Sequence, residues 1–168
     1  MAFKGKNVYL VEGADEKNLV QTFIRDMRLI QPGKIHVLNV ILNHITKLKV
    51  STWGEAVRVI MVFDTDVEKT DVFEQNIALL KKLKNVQDIL FIPQVYNLED
   101  ELKRSTNVKN VLEITNSSSL KGFKRDLSTD CQLDKHLQKV NFDFHKFWGV
   151  RPDGKFKFVG NDIERIRL

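Results

Sequence analysis

One cysteine, three prolines and eight glycines are spread over 168 residues. The lone thiol, Cys131, excludes an internal disulfide framework and fits a reducing cytoplasm. His36, His44, His136 and His145 stand at no paired zinc-ligand spacing with one another or with Cys131, so a zinc site is not expected. No apolar run approaches the roughly 20 residues that span a bilayer, which argues against membrane association. The opening MAFKGKNVYLVEG is basic, but its apolar stretch is short and strand-like and no small-residue cleavage site follows. No signal peptide is expected from that pattern. A G-x-x-x-x-G-K-[ST] stretch is also missing, which removes nucleotide binding through a P-loop.

What is present describes a soluble globular chain of one domain, with 42% hydrophobic and 29% charged residues. The net charge of +5 is uneven: +1 over residues 1–120 and +4 over residues 121–168. A basic C-terminal third fits the binding of a polyanion, and equally fits a lysine-rich solvated surface.

Alternating strand and helix patterns fill the first two thirds. A strand is expected over 7–12, then a helix over 14–27 with Leu19, Val20, Phe23, Ile24 and Met27 on one face. Asp15 and Glu16 suit its positive N-terminal end. Pro32-Gly33 turns the chain into a second strand over 34–41. Residues 42–53 read as a short helix or an irregular connection. The run Val59-Ile60-Met61-Val62-Phe63 is continuous and apolar, the mark of a strand buried on both faces, and it ends on Asp64 and Asp66. A helix over 70–86 and a fourth strand over 88–94, stopping at Pro93, come next. A short helix begins near Asn97. Beyond it, Ser117–Ser119 signal a loop or helix cap before a helix through Leu120, Phe123 and Leu127. Phe142, Phe144, Phe147 and Trp148 alternate with His145 and Lys146, and read as core packing or as stacking platforms for single strands. Pro152-Asp153-Gly154 marks a tight turn.

This order predicts an α/β fold with a parallel sheet, in which ligands sit beyond the carboxyl ends of the strands. Acidic residues fall at those ends: Glu12 before Gly13, then Asp64 and Asp66, then Glu99, Asp100 and Glu101. Side chains alternate in an extended chain, so Asp64 and Asp66 are expected on one side. Two carboxylates roughly 4 Å apart repel by about 4 kcal/mol at an effective dielectric near 20. A hard divalent cation would relieve that repulsion, and Mg²⁺ takes oxygen ligands of this kind. Glu16, one helical turn past Glu12, is expected to face the same crevice if strands one and three are neighbours. Helix capping or simple solvation places acids after strands as well.

VYLVEGADEKNLV followed about 50 residues later by VIMVFDTD resembles the Toprim domain, shared by type IA and type II topoisomerases, bacterial primases, small nucleases and OLD-type nucleases. The likeness covers roughly residues 6–106, leaving 107–168 as a basic, aromatic extension packed on that core. It implies a layered α/β fold with a mostly parallel central sheet flanked by helices, and a Mg²⁺ or Mn²⁺ held between Glu12, Asp64 and Asp66. Glu12-Gly13-Ala14-Asp15-Glu16 is similar to the E-G-x-x-E of the OLD-type branch, which adds Glu16 as a metal ligand. NLEDEL resembles that branch's acidic stretch and adds Glu99. The implied activity is phosphodiester hydrolysis on DNA or RNA, in defence against foreign DNA or in nucleic-acid processing, with a protein partner such as an ATPase. Catalysis would fall to Glu12, Asp64 and Asp66. A cation is wanted for the developing charge, and Lys124 is the candidate chosen from Lys121, Lys124 and Arg125.

The chain departs from the family in two ways. Val67-Glu68-Lys69-Thr70 follows D-x-D where many members have a glycine, and no tyrosine-bearing, helicase or gate domain is recognisable. Topoisomerase and primase chemistry are therefore not expected. The alternative is a non-catalytic Toprim module that binds nucleic acid or a partner protein. A phosphoacceptor receiver-like domain would need a paired acid at strand one and a lysine ending a fifth strand, and neither is seen.

Overall fold

The computed structural model describes residues 3–168. Four strands, β1 (Lys6–Val11), β2 (Lys34–Val37), β3 (Val57–Asp64) and β4 (Val86–Gln94), form one sheet in the order β2-β1-β3-β4. Every pairing is parallel. Helices α1 (Ala14–Arg25), α2 (Lys47–Ser51), α3 (Asp71–Lys81), α4 (Leu98–Ser105), α5 (Leu112–Thr115), α6 (Leu120–Thr129) and α7 (Leu133–Lys139) surround it. This is the expected layered α/β fold. No helix among the described residues is long and apolar enough to cross a membrane.

Strand periodicity divides the core in two. Tyr9, Val11, Ile60, Val62, Leu90 and Ile92 face the layer that holds Leu19, Val20 and Phe23 of α1 together with Phe123 and Leu127 of α6. Val8, Leu10, Val59, Met61 and Phe63 face the other side, against Phe73, Ile77 and Leu80 of α3. A strand sandwiched this way must be apolar at every position, which is why the run from Val59 to Phe63 shows no alternation. Among the C-terminal aromatics, Phe147 and Trp148 are buried, and both rings pack on Phe23 at 5.3 and 5.8 Å between centroids. Phe142 and Phe144 pack on the same ring. These four serve the core. Full burial of a side chain such as Phe23 contributes about 1.5–3 kcal/mol, so the 107–168 segment is energetically part of the fold.

Several boundaries differ from the sequence pattern. The second strand stops at Val37, and Val40, Ile41 and Ile45 enter the core from the irregular stretch that precedes α2. Helix α3 ends at Lys81, so Val86 starts β4 rather than closing a helix. Helix α7 carries too few apolar residues to register as periodic.

Pro93 does not stop β4: it pairs with Phe63, and the strand runs on to Gln94. The reason is the edge. Phe91 turns its amide outward, where the Asp162 carboxylate accepts it at 2.9 Å, and its carbonyl accepts from the Asp162 amide at 2.9 Å. Pro93, two residues on, therefore faces outward too, where no ladder donor is required. Val95 is next in phase, and its amide donates to Glu101 Oε1 at 2.9 Å.

Candidate metal centre

β1 and β3 are neighbours, with Tyr9 opposite Ile60 and Leu10 opposite Met61. Their carboxyl ends therefore bring Glu12 and Asp64 together. Gly13, extended at φ −144°, serves as the N-cap of α1 and carries no capping side chain. Glu16, in the first turn, reaches back past Gly13 to the end of β1: its Oε2 accepts from the Glu12 amide at 2.6 Å. That bond holds Glu16 against the sheet, where only 4% of it is exposed. The Asp64 amide donates to Glu12 Oε1 at 3.3 Å. Glu12, Glu16 and Asp64 each offer one carboxylate oxygen, and these three oxygens lie within 4.8 Å of one another. The triad can bind a metal ion, since three clustered oxygens match the donor preference of a hard divalent cation.

Gln94, which escaped the sequence reading, completes the floor. It ends β4 directly beside Asp64 in register and is fully buried. Its Nε2 donates to Glu16 Oε1 and to Asp64 Oδ1, at 2.7 Å each. Its Oε1 accepts from Trp148 Nε1 at 3.2 Å. The one available signal was a polar residue ending a buried strand at the same level as Asp64.

Burial and crowding distort the titration of these acids. Desolvation, then the Glu12 charge, pushes the Glu16 carboxyl up to about 8. Desolvation, followed by repulsion from Glu12 and Glu16, pushes Asp64 up to about 9. Glu12 is also raised, chiefly by burial. At neutral pH the metal-free site therefore relieves its charge by retaining protons, and a divalent cation competes for the same oxygens.

Two clefts open over this floor. One of about 370 Å³ lies directly over the triad, and one of about 570 Å³ lies beside it. Asp64, Glu99 and Lys124 line both. Glu99 is not among the triad; its Oε1 pairs with Lys124 Nζ at 3.1 Å. Burial lowers the Lys124 pKa, but the Glu99 bond and charge outweigh it and the net shift is upward. Lys124 thus stands at the junction of the clefts, whereas Lys121 lines neither and Arg125 is paired with Asp126 at 3.1 Å.

Asp66 is placed differently from its expected position beside Asp64. β3 ends at Asp64, so alternation no longer governs the next two residues. The Thr65 and Asp66 amides turn onto the Tyr96 carbonyl at 2.8 and 3.1 Å. Asp66 is exposed, accepts from Asn97 Nδ2 at 3.0 Å, and lines only the larger cleft. Glu101, in the acidic stretch, points inward: fully buried, it accepts from the Val95 and Trp148 amides and from Arg104.

Compared with protein-family models, with curated proteins and with solved structures, the chain matches none of them.

Proposed function

We propose that the protein is a Toprim-like phosphodiester hydrolase acting on nucleic acid with Mg²⁺ or Mn²⁺ held by Glu12, Glu16 and Asp64. The observation that carries this reading is the convergence of those three carboxylates at the carboxyl edge of a parallel sheet, with Lys124 beside them. When bound, such a cation neutralises phosphate charge and lowers the pKa of a coordinated water.

The chain's own groups divide the remaining work. Gln94 and the Glu12 amide fix Glu16, and Gln94 fixes one oxygen of Asp64. Glu12 accepts only the Asp64 amide, at 3.3 Å, the longest of the bonds that hold the three, and would serve either as a ligand of the ion or as the base that takes a proton from water. Lys124 sits where its ammonium meets charge developing on a phosphate oxygen. Asp66 and Glu99 line the adjoining cleft and are the carboxylates a second ion would use.

Labelled single- and double-stranded DNA and RNA, incubated in Mg²⁺ and Mn²⁺, test the reading. Wild type should cleave at least one polymer, and Asp64→Asn should lose about 100-fold or more, beyond the 10–100-fold typical of groups that only support a ligand. Asp66→Asn should lose less than Asp64→Asn, because only Asp64 belongs to the triad. Equal cleavage by wild type and Asp64→Asn would sink the mechanism. Binding without cleavage, unchanged in Asp64→Asn, would favour the non-catalytic module, and activity gained on adding an ATPase would identify a required partner.

A further inference from the structure

The two edges of the sheet are finished differently. At β4 the chain's own C-terminal segment closes the edge, with the Asp162 amide and carboxylate both bonded to Phe91. β2 lies at the other edge and is joined to the sheet through β1 alone. The Leu38 amide donates to the Val11 carbonyl at 2.8 Å, and Lys34 and His36 share its phase. Backbone direction alternates along a strand, so the amides and carbonyls of Ile35 and Val37 turn outward. Among the described residues none of these four groups has a hydrogen-bond partner.

A groove of about 260 Å³ runs beside this open edge, between β2 and α1. Ile24 and Ile35 make it apolar, and Lys17, Gln21 and Arg25 of α1 line it with no acid among them. The other face of the strand is also cationic. Burial first, and then the charges of Lys34, Lys49 and Lys17, lower the pKa of His36, so three lysines converge on this short strand. Among the described residues none of the three is paired with a carboxylate.

We propose that the β2 edge docks an extended, acidic segment of a partner protein, which adds a fifth strand beside Ile35 and Val37. Main-chain bonds to those two residues supply the attachment. Side chains of the added strand alternate, so its apolar residues enter the groove against Ile24 and Ile35 while its acids face Lys34 and Lys49. Lysines on an open edge also guard it against indiscriminate pairing. A second copy of β2 would set Lys17, Lys34 and Lys49 against their own counterparts, whereas an acidic strand is attracted by them. A nucleic-acid strand would use the lysines but leave the outward amides and the apolar groove idle. The groove shares no lining residue with either cleft at the metal centre, and the inference does not rest on the hydrolase reading.

NMR of the full ¹⁵N-labelled chain, titrated with an eight-residue peptide of alternating glutamate and valine, tests this. The Ile35 and Val37 amides should shift most. With peptide at about ten times its Kd, hydrogen exchange at both should slow about tenfold. Lys34→Glu/Lys49→Glu should weaken binding about tenfold and turn the preference toward an alternating lysine–valine peptide. Val37→Pro removes an outward donor and no ladder bond, a change an edge strand tolerates, and should lose the peptide. Should that variant fail to fold, the lysine variant and the exchange data decide. Absence of binding, or binding that leaves exchange at Ile35 and Val37 unchanged, overturns the inference. So does equal binding of an alternating glutamate–proline peptide. Equal competition by a 12-nucleotide strand would make the edge a general polyanion surface and overturn it too. Cleavage assays take no part in this experiment, so either reading can fall without the other.

Discussion

The Gln94 side-chain amide donates to Asp64 Oδ1 at 2.7 Å, joining the ends of two adjacent parallel strands across the floor of the metal centre. The same nitrogen reaches Glu16 Oε1, so one neutral residue orients two of the three triad acids. A carboxylate held by a buried amide can keep its position whether it carries a proton or faces a cation.

Removing that amide should be costly. Gln94→Leu strips hydrogen bonds from Glu16 and Asp64 and leaves the Trp148 indole N–H unpaired in the core. A buried polar group left unsatisfied costs about 1–3 kcal/mol. Urea unfolding should show a loss in that range, and divalent-cation affinity measured by calorimetry should fall by about 10–100-fold. A variant as stable as wild type, with unchanged metal affinity, would show that Gln94 is incidental.

Stability of the metal-free protein should fall as pH rises. Glu16 and Asp64 titrate near 8 and 9 when folded, above their ordinary values of 4.5 and 3.8. Between about pH 4 and 9 the folded state holds more protons than the unfolded chain, so these groups destabilise the fold progressively through that window. Asp64→Asn removes one of them, and its stability relative to wild type should increase steadily from pH 5 to pH 9. Saturating Mn²⁺ should raise the wild-type Tm more at pH 8 than at pH 5, since protons compete for the ligand oxygens at the lower pH. A difference between the two proteins that does not vary with pH would refute the assignment of Asp64.

Glu101 should matter for folding and not for metal. Its two oxygens take the Val95 amide at 2.9 Å, the Trp148 amide at 2.8 Å and Arg104 at 2.6 Å. Trp148 adopts φ +56°, a left-handed conformation that a bulky residue holds only under constraint, at roughly 1–3 kcal/mol. Glu101→Ala releases that constraint and strands two buried amides, an expected loss of about 3 kcal/mol. Calorimetric Mn²⁺ affinity of the folded fraction should stay within about threefold of wild type. A loss of metal affinity as large as that of Asp64→Asn would place Glu101 among the ligands.

Much of the site was legible in the sequence because it follows from single elements. An apolar run that ends in an acid is a buried strand reaching the ligand edge, and this located Asp64. A glutamate one helical turn past Glu12 stays on the side of the sheet from which the helix departs, and this located Glu16. The alternating order of strands and helices was sufficient for the parallel layered fold.

Other features depend on contacts between segments far apart in the chain, which no local period encodes. Asp66 stands apart from the triad because β3 ends two residues earlier and the Tyr96 carbonyl captures its amide. Pro93 stayed inside a strand because only the finished sheet made β4 an edge and turned that position outward. Gln94 entered the site because register set it beside Asp64, and Glu101 turned inward because the 107–168 segment brought the Trp148 amide to it. The amino-acid sequence by itself determined which residues carry charge and where strands and helices form. Tertiary structure decided which of those charges meet, since burial and hydrogen-bond satisfaction are properties of packed neighbours and not of neighbours in the chain.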